Sequence, residues 1–269
     1  MLKKDLDFHK NGNTDKIQFV EYNHLLRSKH LDVLGCALAI ESYMTDVYYT
    51  FINGDEELAL KKLSGFSEKP WFPKLGFSLK NGNGRGPSPN SIIKILRKFK
   101  GKDNAIELIM NTIFGIVFIK GFGADYNSDL LISLVAPFLS EYTKRVAKEN
   151  NLDTKSETID VWNANRKSWE KGKITIAKFE DEDDFHLIVP NDILVTKLPY
   201  NTRDFIYRYW RSIYNDRREK NGKSKLKRKD MYQIIKNEFD NDLTQYSMHV
   251  LDQMSTIEIY NYLNRFKRI

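Results

Sequence analysis

Ile174-Thr-Ile-Ala-Lys-Phe179 and Phe185-His-Leu-Ile-Val189 are two short apolar runs separated by the acidic segment Glu180 to Asp184. Isoleucine, valine and phenylalanine fit the pleated surface of a strand, and a polar turn between two such runs predicts a β-hairpin. Most of the chain on either side follows a helical spacing instead. Leu25, Leu26, Leu31, Leu34, Leu38, Met44 and Val47 suit helices between Ile17 and about Phe51. Asn53, Gly54 and Asp55 mark a turn, after which Glu56 to Leu63 resumes as a short helix closed by Gly65. Beyond a hinge at Pro199 to Thr202, Arg203 to Ile269 reads as helical. The fold class is therefore α+β: a helical N-terminal layer, a central mixed α/β region with a small sheet, and a helical, basic C-terminal module.

Between these ends, Ser88 suits an N-cap and Pro89 the first position of a helix whose apolar face is Ile92, Ile93, Leu96 and Phe99. Ala105 to Ile113 predicts another helix, and Gly115 to Lys120 predicts a buried strand. From Leu130 to about Asn150 the pattern is helical again, with Pro137 expected to bend it or mark a restart. Residues 151 to 172 are polar and carry Trp162 and Trp169. The expected divisions are a mobile leader (1–16), a helical N-terminal layer (17–68), a central mixed α/β domain (69–200) and a basic helical module (201–269).

A chain of 269 residues with 41% hydrophobic and 13% aromatic content can fill a core, so global disorder is excluded as a default. The longest apolar stretch, Ala105 to Ile119, is broken by Glu107 and Asn111 and falls short of the roughly 20 residues that span a bilayer. The start of the chain has no apolar signal region, and a cytoplasmic protein with no membrane partner is the expectation. The single cysteine, Cys36, cannot form an intrachain disulfide or a zinc cage, and it reads as a small core residue. His24, His30 and His249 lack zinc-site spacing, and no nucleophile-elbow motif occurs.

Charge is unevenly distributed. The net charge is +7, yet residues 201–229 alone hold 11 basic against 3 acidic residues, while the last forty residues hold 4 against 6. In that strip cations alternate with aromatics: Arg203, Phe205, Tyr207, Arg208, Tyr209, Trp210, Arg211 and Tyr214. The denser cluster Arg217, Arg218, Lys220, Lys223, Lys225, Lys227, Arg228 and Lys229 follows around an Asn221-Gly222 turn. Cations neutralise phosphates and exposed rings stack on unpaired bases, so the strip predicts contact with nucleic acid through a loop able to reach a partner. The alternative packs Phe205, Tyr209 and Trp210 inward and leaves a merely solvated basic face.

Two other segments carry candidate chemistry. Gly82, Gly84 and Gly86, with Arg85, lie before a helix start and read either as a flexible loop or as an anion cradle. Lys120-Gly-Phe-Gly-Ala-Asp125-Tyr-Asn-Ser128-Asp129 places two carboxylates four positions apart beside Asn127 and Ser128. These oxygen ligands suit magnesium (Mg), and they equally suit capping of the following helix. His186, after Asp183 and Asp184, and Glu107 are further residues able to complete a site.

Leu75-Gly-Phe-Ser, Gly84-Arg-Gly-Pro, Gly121-Phe-Gly-Ala-Asp125 with Ser128-Asp129, Glu141-Tyr-Thr, Trp162-Asn, Trp169 and Leu187-Ile-Val-Pro190 occur in this order. Over about residues 70–200 the chain thereby resembles a poorly characterised family of bacterial proteins found beside restriction and anti-phage defence genes. In that family the segment matching 121–129 usually reads Gly-Ile-Gly-x-Asp-x-Ile-Ser-Asp, and Asn127 here replaces the isoleucine. The segment matching Leu187 to Pro190 is usually followed by lysine, and Asn191 stands there in this chain. The resemblance implies an antiviral defence context, with other defence-system proteins as further partners.

The combined expectation is a defence-associated, metal-dependent nuclease or nuclease-like effector. Asp125 and Asp129 would hold magnesium, and Lys120 or Arg85 would offset phosphate charge. Arg203, Arg208, Arg211, Arg217, Arg218, Lys225, Lys227 and Arg228 would hold the nucleic acid. The alternative is a non-catalytic nucleic-acid-binding or adaptor subunit of a defence or restriction complex.

Overall fold

The computed structural model describes residues 8, 17–63, 72, 73, 75, 89–100, 113–180 and 184–266. Within them the fold is α+β, with helices towards both ends and two small antiparallel sheets. In chain order the elements are β1 (Phe19–Val20), α1 (Tyr22–Leu25), α2 (Val33–Ile52), α3 (Glu56–Leu63), α4 (Pro89–Phe99), α5 (Ile113–Phe118), α6 (Ala124–Asn150), β2 (Asp153–Asn163) and β3 (Ser168–Lys178). They continue with β4 (Leu194–Val195), α7 (Thr202–Asp204), a π-helical segment (Phe205–Trp210), α8 (Arg211–Lys220), α9 (Arg228–Glu238), α10 (Leu243–Leu251) and α11 (Thr256–Asn264). No described helix is long and apolar enough to cross a membrane. The chain divides into two compact units, one formed by Met1–Arg85 with Gly123–Leu198 and the other by Gly86–Phe122 with Pro199–Ile269.

In the first unit, α6 forms the centre. Leu131, Val135, Ala136 and Leu139 are fully enclosed along it, and the helix runs through Pro137 as one element ending at Asn151, which adopts the left-handed conformation of a C-cap. Two buried hydroxyls on α6 satisfy backbone donors that the small sheet leaves over: Ser140 Oγ accepts from Thr175 N at 2.8 Å and Thr143 Oγ1 from Ile188 N at 3.0 Å. The N-terminal strand β1 pairs with β4 in antiparallel register, Phe19 opposite Val195, and Val20 N donates to Ser128 Oγ at 2.9 Å.

The main hairpin is displaced from the expected one. β2 and β3 pair over their full lengths with Trp162 opposite Trp169, their rings 5.7 Å apart, so the polar stretch 151–172 supplies strand structure. Phe185 to Val189 contributes a single bridge, His186 to Ala177, where a full strand was expected. Most of β2 faces solvent on both sides, which hides the period-2 alternation by which a half-buried strand is recognised. The buried end is anchored by aromatics: Tyr43 on α2 packs edge-on against Trp162 at 5.1 Å, and Trp162 Nε1 donates to Ser42 Oγ at 2.8 Å.

Phe8, within the expected mobile leader, is 7% exposed, stacks on Phe179 at 5.5 Å and bridges Pro190. This residue belongs to the core, and the rest of the leader lies outside the described residues. So do Arg85, the glycine cluster 82–86, Glu107 and all but the last residue of the helix expected from Ala105 to Ile113.

In the second unit, the strand expected at Gly115 to Lys120 is replaced by helix α5. The β-branched and aromatic residues there favour a strand only weakly, and burial decides the outcome. Phe114 and Phe118, one turn apart, extend a line of aromatic contacts: Phe99 to Phe114 at 4.9 Å, Phe114 to Phe118 at 4.8 Å and Phe118 to Phe205 at 4.7 Å. Thr202 Oγ1 and Ser247 Oγ both donate to the Val117 carbonyl, at 3.0 and 3.2 Å, satisfying the end of α5.

Candidate nucleic-acid interface

The basic strip is more ordered than a reaching loop. Asn201 caps α7 by accepting from Asp204 N at 2.9 Å, and the chain then widens into the π-helical segment Phe205–Trp210. Residues five apart align in a π turn, and here Phe205 and Trp210 are both fully buried. The inward packing of the alternative is thus realised for these two rings, while Tyr209 is half-buried and donates to Glu258 O at 2.6 Å. Arg217, Arg218 and Lys220 lie on helix α8, so the expected loop 217–229 shrinks to residues 221–227. Buried Asn215 pins that connection: its Oδ1 accepts from Leu226 N at 2.8 Å and its Nδ2 donates to Leu226 O at 3.1 Å.

Pinning Leu226 fixes the start of α9 next to the π-helical segment. A cavity of about 460 Å³ results, lined by Arg203, Tyr207, Arg228, Lys229 and Tyr232. Arg203 and Tyr207 are four residues apart, as are Arg228 and Tyr232, which sets each pair on one helical face. The Arg228 guanidinium lies over the Tyr207 ring, 5.1 Å from its centroid. Burial pushes the Tyr207 phenol above its ordinary value, and the nearby Arg203 and Arg228 charges oppose that rise. Tyr207 is 6% exposed, whereas Tyr232 is 42% exposed. No carboxylate is found among the described residues that line the cavity. The adjacent acids are engaged elsewhere, Asp204 with Arg208 at 3.5 Å and Asp230 as acceptor from Lys227 N at 2.7 Å. A concave site with three cations and two phenol rings suits a phosphate beside an unpaired base.

Residues 4–201 match the family described as a domain of unknown function, DUF8370. The chain belongs to the DUF8370 family. No curated protein and no solved structure matches it. In this DUF8370 chain the cavity is built from residues beyond the matched span, since its lining begins at Arg203.

Most of the other cations expected to hold nucleic acid have intramolecular tasks. Arg211 donates to the Tyr207 and Leu226 carbonyls at 2.9 and 3.4 Å. Arg217 donates to Gln253 O and to the Glu258 carboxylate, and Arg218 to Ser224 O at 2.7 Å. Lys225 pairs with Glu219 at 3.0 Å and Arg208 with Asp204, whereas Lys227 occupies the N-cap position of α9 through its backbone and its side chain is exposed. Of the sequence candidates, Arg203 and Arg228 are brought together. Tyr232 was missed, although its spacing of three and four from Lys229 and Arg228 would have exposed it once the helix start at Arg228 was known.

Asp125 and Asp129 sit one turn apart at the start of α6, Asp125 exposed in the first turn and Asp129 partly buried. Tyr126, between them, has its phenol raised by burial and by the Asp129 charge. Acidic residues here also face the positive end of the α6 dipole. Two carboxylates are what magnesium uses together with waters and substrate phosphates. Among the described residues no group of three or more His, Cys, Asp or Glu is gathered for a metal. Lys120 belongs to the other unit, where it pairs with Asp242 at 2.6 Å. His186 is buried on β3's partner segment, its ring 6.2 Å from that of Phe179.

Proposed function

We propose that this protein is a nucleic-acid-binding module, acting in the cytoplasm, whose C-terminal unit takes single-stranded nucleic acid at the Arg203–Tyr207–Arg228–Lys229–Tyr232 cavity. The cavity itself carries the reading: three cations meet two phenol rings in one concave site, and neighbouring acids are occupied by Arg208 and the Lys227 amide. Cations supply affinity through counterion release, and the exposed Tyr232 face supplies sequence-tolerant stacking. An isolated strand offers both partners at once; a duplex keeps its bases stacked inside.

This keeps the binding half of the expectation drawn from the sequence. The defence context rests on the resemblance over residues 70–200, and hydrolysis at Asp125 and Asp129 is a separate question. Incubating the full chain with single-stranded DNA and RNA in magnesium, manganese or EDTA decides it, since a metal-dependent nuclease cleaves in the first two and stops in the third. Binding is read by fluorescence anisotropy of an unstructured strand over a salt series. Retention that weakens steadily with salt supports the proposal, and failure to bind either DNA or RNA at low salt refutes it.

A further inference from the structure

Resting on that binding reading, we infer that the cavity recognises the end of a strand: a terminal 5′-monophosphate set against Arg203, Arg228 and Lys229 with its own base on Tyr232. Size is the first argument. A cavity of about 460 Å³ with five lining residues holds one nucleotide, whereas a surface that tracks the backbone serves several nucleotides in a row. Charge is the second. Three cations converge with no carboxylate among the described lining residues, which exceeds the single charge of an internal phosphodiester and matches a terminal monophosphate carrying about −1.5 to −2 at neutral pH.

The arrangement of the rings is the third argument. Tyr207 is buried with the Arg228 guanidinium already over it, so the stacking surface left to a ligand is Tyr232. One ring platform beside one cationic cluster fits one base attached to one phosphate. Three arginines beyond this cluster, Arg211, Arg217 and Arg218, are tied to protein acceptors and so do not extend it.

The same chemistry exists in a free nucleoside 5′-monophosphate, and the test separates the two sources. Identical unstructured strands labelled at the 3′ end, bearing either a 5′-phosphate or a 5′-hydroxyl, are titrated with the full-length protein at fixed physiological salt. Unlabelled nucleoside 5′-monophosphate and inorganic phosphate serve as competitors. The expected result is about tenfold tighter binding of the phosphorylated strand, in line with charge-assisted pairing at arginine and lysine. That ratio should fall towards one in Lys229→Gln and Tyr232→Ala, with unchanged thermal melts showing that both variants fold. The monophosphate should compete better than inorganic phosphate but bind more weakly than the strand end. Equal affinity for the two strands overturns end recognition and leaves the binding reading standing. A ratio undiminished in both variants moves the site elsewhere and also overturns it. A free monophosphate that binds as tightly as the strand end overturns the assignment to strands, and absence of binding to either strand removes the binding reading itself.

Discussion

Arg217 grips the Glu258 carboxylate with one guanidinium nitrogen, Nη2, which lies 2.7 Å from Oε1 and 2.6 Å from Oε2. The same side chain donates to Gln253 O at 2.7 Å and lies over Trp210 at 5.4 Å, while Glu258 also accepts from Ser255 N at 2.8 Å. Arg217 is thereby a fastener between α8 and the start of α11. Its replacement, Arg217→Ala, should lower stability by roughly 1–2 kcal/mol in urea unfolding, allowing for partial exposure of the pair. Single-strand affinity should change by less than about twofold, because the cation removed is already neutralised.

Acid should loosen the same unit. Burial raises the Glu258 carboxyl, but the Ser255 and Arg217 donors outweigh it and hold the group below its ordinary value. At Asp242 burial likewise raises the carboxyl, but the Lys120 ammonium with the Gln245 and Thr244 amides outweighs it and holds this group too below its ordinary value. Folded-state values below those of the unfolded chain mean that the unfolded chain takes up protons first. The stabilisation is complete above the ordinary carboxylate values and is lost as pH falls through the lower folded ones. Urea unfolding between about pH 5 and pH 3 should show this decline, and Glu258→Gln should flatten it. A decline that is equally steep in the variant counts against this assignment.

The first unit depends on the aromatic anchor of its hairpin. Trp162 is buried between Tyr43 and Trp169 and donates to Ser42. Trp162→Ala removes this packing and leaves a cavity, with an expected loss of about 3–5 kcal/mol. Chemical unfolding followed by far-UV circular dichroism measures it, and a loss under about 1 kcal/mol would mean that the site collapses around the smaller residue.

The helices could be read from the sequence where caps and periodicity agree. Glu56–Leu63 and the start at Pro89 fall where turn residues and proline chemistry put them. The hairpin could not be located from pattern alone, because β2 exposes most of its residues on both faces and looks like a polar linker. From Gly115 helix α5 reads as a strand because Ile116, Val117 and Phe118 carry strand propensity, and only burial of this helix against Phe99 and Phe205 reverses it. At the site, charge density marked residues 203–229 as a region. It did not separate Arg203 and Arg228, which line the cavity, from Arg211, Arg217 and Arg218, which hold carbonyls, because that distinction depends on chain geometry.

Replacing both acids at the start of α6, Asp125→Asn with Asp129→Asn, tests the enzymatic reading apart from the binding one. The proposal predicts single-strand affinity within about twofold of the wild type, since the cavity uses neither residue. Stability should fall by about 0.3–1 kcal/mol as the helix dipole loses Asp125. If the wild type cleaves with magnesium and the double variant does not, while binding persists, the two carboxylates carry hydrolysis.

The most direct measurement of the central claim is the slope of log affinity against log salt for an unstructured single strand. It is compared between the wild type and Arg203→Gln/Arg228→Gln/Lys229→Gln, with circular dichroism confirming that the variant is folded. Each phosphate neutralised contributes about −0.7 to that slope for a single strand. The account predicts a linear fall with salt for the wild type and a slope shallower by about 1–2 in the triple variant, with much weaker binding at every salt concentration. An identical slope and affinity in the two folded proteins would contradict it.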